Sequence, residues 1–373
     1  MNLNKIDKLL YGYFVFTLIS LAWFFYPTFI DEEAAAGRTD FYKNTQPITP
    51  DRENISTALA GISAPVGKDI FAHGKQTQVL TLENFKSKNV ANTKLSNEIE
   101  FVGNTEQLEC WQLTVEKETP QNCMSANELK RVLQGNQILL DRYISILDLH
   151  HWQGMDGRLQ QAININRLIA AKIKLDAVEG KTEQAFDLWQ KNQIFINRVL
   201  AQEQTMAARA IFLVLDVISL DTLDTLLAIS PDFAKSKRGK IANTFPQIGL
   251  KRYNLKGMLK AEYRLFEYMP GRGQAVYIHP EFIKNKIYRA NLEWLECANL
   301  DGNSFDGCMH TLNLRYASFI PKKLNEWRDP LNNIFANMLI SGQVRALELV
   351  KSMREHNAKI QMALTKINAQ TTR

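Results

Sequence analysis

Residues 158–200 read RLQQAININRLIAAKIKLDAVEGKTEQAFDLWQKNQIFINRVL. Apolar residues recur at intervals of three and four on both sides of Gly180, so the stretch predicts one helix over about 158–178 and a second from Thr182. Gly180 supplies the turn between them. Working outward, Ser125-Ala-Asn-Glu128 has capping-box spacing and opens a helical run carrying Leu129, Val132, Leu133, Leu139, Leu140, Tyr143, Ile146 and Leu147. Gly154 and Gly157 interrupt it. A fourth helix spans about Met206 to Ile229 and stops at Ser230-Pro231, which starts another. Asp216, Asp221 and Asp224 make this apolar helix costly to place in a bilayer, so it is expected inside the protein.

The chain has 373 residues, 45% hydrophobic and 23% charged, which excludes wholesale disorder and collagen-like repeats. Leu9 to Ile30 contains no charged residue and would be about 33 Å long as a helix, the thickness of bilayer hydrocarbon. Tyr11 and Tyr13 lie near one end, Trp23 to Tyr26 near the other. Lys5 and Lys8 precede the span, and Asp31, Glu32 and Glu33 follow it. The positive-inside rule puts residues 1–8 in the cytoplasm and the body outside. The rival is a cleaved signal peptide ending at Ala34-Ala35-Ala36. The span exceeds the usual apolar core of a signal, and the acidic residues intervene, so a single-pass anchor is expected.

Cys110, Cys123, Cys297 and Cys308 form two local pairs, 13 and 11 residues apart. Outside the cytoplasm these are expected as disulfides, each contributing about 3 kcal/mol by loop closure. A metal site would lack any C-x-x-C spacing. The expected location is the bacterial inner membrane with a periplasmic body.

The organisation follows: anchor 9–30, polar stalk 31–50, a small mixed subdomain 51–124, and a helical domain 125–373. Within 51–124, residues 52–61 form a short helix, while Gln78–Leu82, Ile99–Val102 and Cys110–Val115 have strand-like composition. The C-terminal helix starts at Asp329-Pro330 and runs to about Ile367. Its seam of Leu339, Gly342, Ala346, Val350, Met353, Asn357, Ile360, Leu364 and Ile367 has heptad-like spacing with one polar member. The seam packs on its own domain or pairs with a second copy.

Around Gly180 the sequence resembles one hairpin of the tetratricopeptide-type repeats. Gly180 stands at the turn, Ala185 where the helices cross, and Trp189 behind it. The resemblance covers about 35 residues, with no second copy at a 34-residue period. It implies helical hairpins stacked as a solenoid or bundle. The fold class is mainly α.

Lys235 to Arg289 holds thirteen Lys and Arg against three Glu, a charge of +10 in a chain of net +6. Lys256, Lys260 and Arg264 are four apart and share a helix face. With Lys251 and Arg252 they form the candidate surface for an anionic envelope component or acidic protein. Location outside the cytoplasm argues against nucleic acid. The alternative is an ordinary helix face whose acids come from other segments. Gly61-Ile-Ser-Ala-Pro-Val-Gly67-Lys68 has one residue too many for a phosphate loop, and Asp69 stands at the magnesium position. His150 and His151 are adjacent and point about 100° apart on a helix, so they do not chelate one ion. No catalytic residue, cofactor or metal is assigned. The expected function is a membrane-anchored helical scaffold that binds an envelope partner. The alternative is an envelope hydrolase of glycan or lipid whose active site the fold assembles.

Overall fold

The computed structural model describes residues 33–43, 49–87, 95, 97–113, 124–154, 159–245, 249–267, 280–300, 302–316, 350–362 and 364–365. The expected cytoplasmic terminus 1–8, the anchor 9–30, Cys123, the Cys110 side chain and the Asp329-Pro330 helix start lie outside this description. Among the described residues no helix is long and apolar enough to cross a membrane.

In chain order the helices are α1 (Arg38–Tyr42), α2 (Ile55–Ala60), α3 (Ile70–Ser87), α4 (Thr105–Leu113), α5 (Ala126–Gly135), α6 (Gln137–Ile146) and α7 (Gln160–Val178). Then come α8 (Thr182–Leu200), α9 (Met206–Ile229), α10 (Pro231–Thr244), α11 (Leu255–Glu267), α12 (Pro280–Ala298) and α13 (Gly302–Tyr316). Residues 350–362 form the last helix, α14. Short 3-10 turns occupy Asp51–Glu53 and Leu250–Tyr253. The described residues contain no named strand, only an isolated bridge between Asn54 and His151. The fold is therefore mainly helical. Two compact units are present: residues 1–44 with 269–350, and residues 45–268 with 351–373.

The strand-like readings inside 51–124 are corrected. Residues 78–82 lie within α3, and residues 110–113 end α4. Val79 and Thr81 gave the first of these its β-like composition. The Thr81 hydroxyl donates to the Thr77 carbonyl 2.8 Å away, which satisfies it inside a helix. Residues 99–102 are irregular. Val102 exchanges backbone hydrogen bonds with the Asn136 side-chain amide rather than with a strand. Residues 51–113 share their unit with residues 125–268.

In the larger unit, α2 and α3 approach closely because Gly61 and Gly74 face each other's backbone. A Cβ on Gly61 would stand 1.8 Å from the Ile70 carbonyl oxygen, and one on Gly74 1.9 Å from that of Thr57. The Gly61–Lys68 segment is the turn joining these helices. The capping box at Ser125 forms as expected, with the Ser125 amide 2.7 Å from Glu128 Oε2. The helical run after it is divided at Asn136, whose side chain serves Val102. The α7–α8 hairpin closes with Gly180 at φ +85°; the amides of Gly180 and Lys181 bond back to Ala177 and Asp176. Ala185 and Trp189 are fully buried at the crossing. Helix α9 is apolar around most of its circumference and packs against α7 and α8.

Three arginines close helix ends elsewhere in this unit. Arg142 donates to the carbonyls of Ile62, Ala64 and Pro65 past α2. Arg198 donates to those of Leu147 and Leu149 past α6. Arg209 donates to those of Leu200 and Gln202 at the end of α8. Each brings a cation to carbonyls that have no intrahelical partner.

In the smaller unit, residues 33–43, expected as part of a polar stalk, pack on α12. Asn285 accepts from the Ala35 amide at 2.8 Å and from Arg38 at 2.7 Å, and donates to the Glu33 carbonyl. Arg38 also pairs with Glu281. Phe41, Tyr42 and Tyr288 meet edge to face. A disulfide joins Cys297 of α12 to Cys308 of α13, with Cα atoms 5.7 Å apart.

Gly74→Ala is predicted to destabilise the larger unit by about 3 kcal/mol, because backbone rather than a movable side chain occupies the space. Gly239→Ala, in open space within α10, should instead stabilise by about 0.5–1 kcal/mol. Urea unfolding of both variants checks this. Equal effects would contradict the close crossing.

Candidate functional site

Four cations of the basic stretch meet three acids from other segments. Lys260 and Arg264, one turn apart on α11, converge on Glu203 at 3.7 and 2.7 Å. Lys237 pairs with Glu183 and lies over the Phe233 ring. Arg252 is 3% exposed and grips Asp216 with both terminal nitrogens, at 2.7 and 2.6 Å. Of the candidate surface residues, Lys256 stays exposed; the Lys251 side chain lies outside the described residues. The spacing placed Lys256, Lys260 and Arg264 on one helix as read. The structure leaves Lys256 exposed and brings Lys260 and Arg264 to a shared carboxylate.

Asp216 was legible as an odd residue in an apolar helix, but its partner was not. It is fully buried on α9. Gln193 donates to its Oδ1 at 2.7 Å, and Asn197 accepts from Arg252 Nε at 3.1 Å. Burial works against the Arg252 charge, but the adjacent carboxylate outweighs it and holds the pKa above its ordinary value. Tyr253 donates no charge here; burial pushes its phenol up to about 12. Arg209 is equally buried, and desolvation brings it down to about 9. Its guanidinium rests on backbone carbonyls, including that of Tyr253.

Beside this buried pair a half-open groove of about 360 Å³ runs along α8. Ile194, Asn197, Arg198 and Ala201 line one side, one helical face at intervals of three and four. Asn243 and Thr244 at the end of α10 line the other, and Arg252 closes the floor. Asn197 Nδ2 donates to the Thr244 carbonyl at 2.6 Å, so the two walls are tied together. Gln190 adds a bond to Thr244 Oγ1 at 3.1 Å. Ile194 is 40% exposed in this concavity.

A second hollow of about 280 Å³ adjoins the start of α3, lined by Pro65, Lys68, Asp69, Ala72, His73, Gln76 and Leu95. His73 Nε2 is 3.3 Å from Glu98 Oε1, with both side chains under 10% exposed. Asp69 accepts from the amides of Phe71 and Ala72. Those bonds hold its carboxyl below the usual range. His150 and His151 serve through their backbones: their carbonyls accept from Gln202 and Ile55. Among the described residues no group of three or more His, Cys, Asp or Glu is placed to hold a metal ion.

In the C-terminal seam, Val350, Met353, Asn357 and Ile360 are buried within the chain, and Leu364 is half-buried. Asn357, the polar member, accepts from the Gly249 amide at 3.3 Å. The neighbouring His356 is buried too. Desolvation pulls its pKa below 6.5, aided by Lys359 and Arg252 and opposed by Asp216 and Glu355.

The unfolded chain therefore takes up the His356 proton first as pH falls past about 6.5. The stability held above that pH is lost progressively down to the folded-state pKa. His356→Leu should flatten this part of the stability–pH curve between pH 7.5 and 5. Unfolding midpoints across that range check it; parallel curves for the two proteins would contradict it.

No family model, curated protein or solved structure matches this chain.

Proposed function

We propose that the protein is a membrane-anchored helical scaffold that binds an envelope partner. Residues 9–30 hold it in a bacterial inner membrane, with residues 1–8 in the cytoplasm and the body in the periplasm. The Cys297–Cys308 disulfide supports an oxidising compartment. One observation carries the reading. The charged side chains of the groove along α8 are committed to structural bonds: Arg252 to Asp216 and Asn197, Arg198 to the carbonyls past α6. A site built this way presents a shaped surface rather than a titrating pair. The partner is an acidic protein surface or another anionic envelope component, met by cations that stay exposed, such as Lys240 and Lys256.

A second reading, an envelope hydrolase of glycan or lipid, is favoured by the His73–Glu98 pair beside the smaller hollow. There Glu98 would orient the imidazole as a general base.

The tagged full chain, purified from membranes in mild detergent, is expected to bring down a stoichiometric partner that salt releases. Lys240→Glu/Lys256→Glu should weaken recovery several-fold, and His73→Gln should leave both recovery and biological function intact. Recovery of no partner at any salt would contradict the scaffold. Loss of function in a stably folded His73→Gln protein would favour the hydrolase.

A further inference from the structure

We infer that the groove between α8 and the end of α10 receives a short acidic segment of the partner protein, a carboxylate set beside an apolar side chain. This rests on the scaffold reading and specifies where and by what chemistry the partner is held.

Charge is the first argument. Two guanidiniums border the groove, and their situations differ. Arg252 is neutralised bidentately by Asp216. Arg198 has no carboxylate partner among the described residues. Its Nη1 is spent on the carbonyls of Leu147 and Leu149, and the nearby Asp148 is engaged by Lys191 at 2.7 Å. The half-buried Arg198 thus brings a positive charge into a concave wall, offset at a distance by Asp148 but bonded to no carboxylate. Burial already depresses its pKa, so an incoming carboxylate meets a partly desolvated cation, where such contacts are strongest.

The other rim supplies complementary groups. Asn243 is exposed, and its side-chain amide has no partner among the described residues, leaving it able to bond a peptide backbone. Lys240 is one turn earlier on the same face of α10 and is exposed. On the α8 wall, Ile194 and Ala201 present an apolar surface open to an aliphatic side chain.

The geometry favours peptide over membrane. Binding to an anionic bilayer uses a cluster of exposed cations on one face. Here Lys237, Lys260, Arg264 and Arg252 are already paired with Glu183, Glu203 and Asp216. What remains at the groove is Arg198 in one wall and Lys240 on the opposite rim, beside an apolar hollow, a site for a short acidic segment.

The test uses the full chain in detergent and a fluorescent hexapeptide alternating leucine and glutamate, with its glutamine counterpart and phosphatidylglycerol vesicles as controls. The glutamate peptide should bind, at least tenfold more tightly than the glutamine peptide. Arg198→Gln should weaken binding about tenfold. Because Arg198 also holds the end of α6, Ala201→Trp provides a second arm: it fills the groove from an exposed position and should abolish peptide binding. Binding undiminished by Ala201→Trp, equal binding of the glutamine peptide, no peptide binding, or binding to vesicles alone would each overturn the inference. If the wild-type chain recovers a membrane partner that Ala201→Trp recovers equally well, the groove fails and the scaffold stands. If neither recovers one, the scaffold itself fails.

Discussion

The buried pair of Asp216 and Arg252 is the interaction on which the larger unit turns. Asp216 sits in the middle of α9, the most apolar helix, where an isolated carboxylate would be expensive. Arg252 comes from the 3-10 turn after α10 and reaches it with two parallel bonds. The same guanidinium is bonded to Asn197 of α8. Three elements are thus tied at one point, and the loop that returns the chain to α11 is held against the helix stack. The pair gives little net stability of its own. Its force is in the penalty for breaking it, since either charge left alone would be buried without a counterion.

The position of the groove follows from this arrangement. Arg252 closes its floor, and Asn197 joins its walls through the Thr244 carbonyl. The arginine clamps extend the same logic. Arg142, Arg198 and Arg209 each reach to carbonyls at the end of an earlier helix, so successive hairpins are joined by charge-assisted hydrogen bonds as well as by apolar packing. Arg198 has two tasks here, holding the end of α6 and presenting a charge to the groove. A charge supported from behind by backbone carbonyls keeps its orientation, which favours recognition of a single carboxylate.

Local signals were readable from the sequence. The Ser125 capping box, the Gly180 turn with Ala185 and Trp189, and the stop of α9 at Ser230-Pro231 all depend on residues within a few positions of one another. The identity of each charge partner was not readable. Arg252 and Asp216 are 36 residues apart, Arg264 and Glu203 are 61 apart, and only the fold decides which acid meets which base. The +10 of residues 235–289 was therefore visible, while the pairing of four of its cations with Asp216, Glu203 and Glu183 was not. The strand-like segments failed for another reason. Val79 and Thr81 favour strands by composition, but a helix satisfies the Thr81 hydroxyl, and the glycine crossing at Gly61 and Gly74 draws α3 against α2. The groove was invisible because its two walls come from α8 and α10, and no motif marks a concavity.

The most direct test is a double-mutant cycle on the central pair, read by equilibrium unfolding. Asp216→Leu and Arg252→Met should each cost about 3–5 kcal/mol, since each leaves a buried charge without its partner. The double variant removes both charges and should be more stable than either single one. Strictly additive losses would contradict the account, because they would mean that the two residues contribute independently and that the pair does not organise the unit.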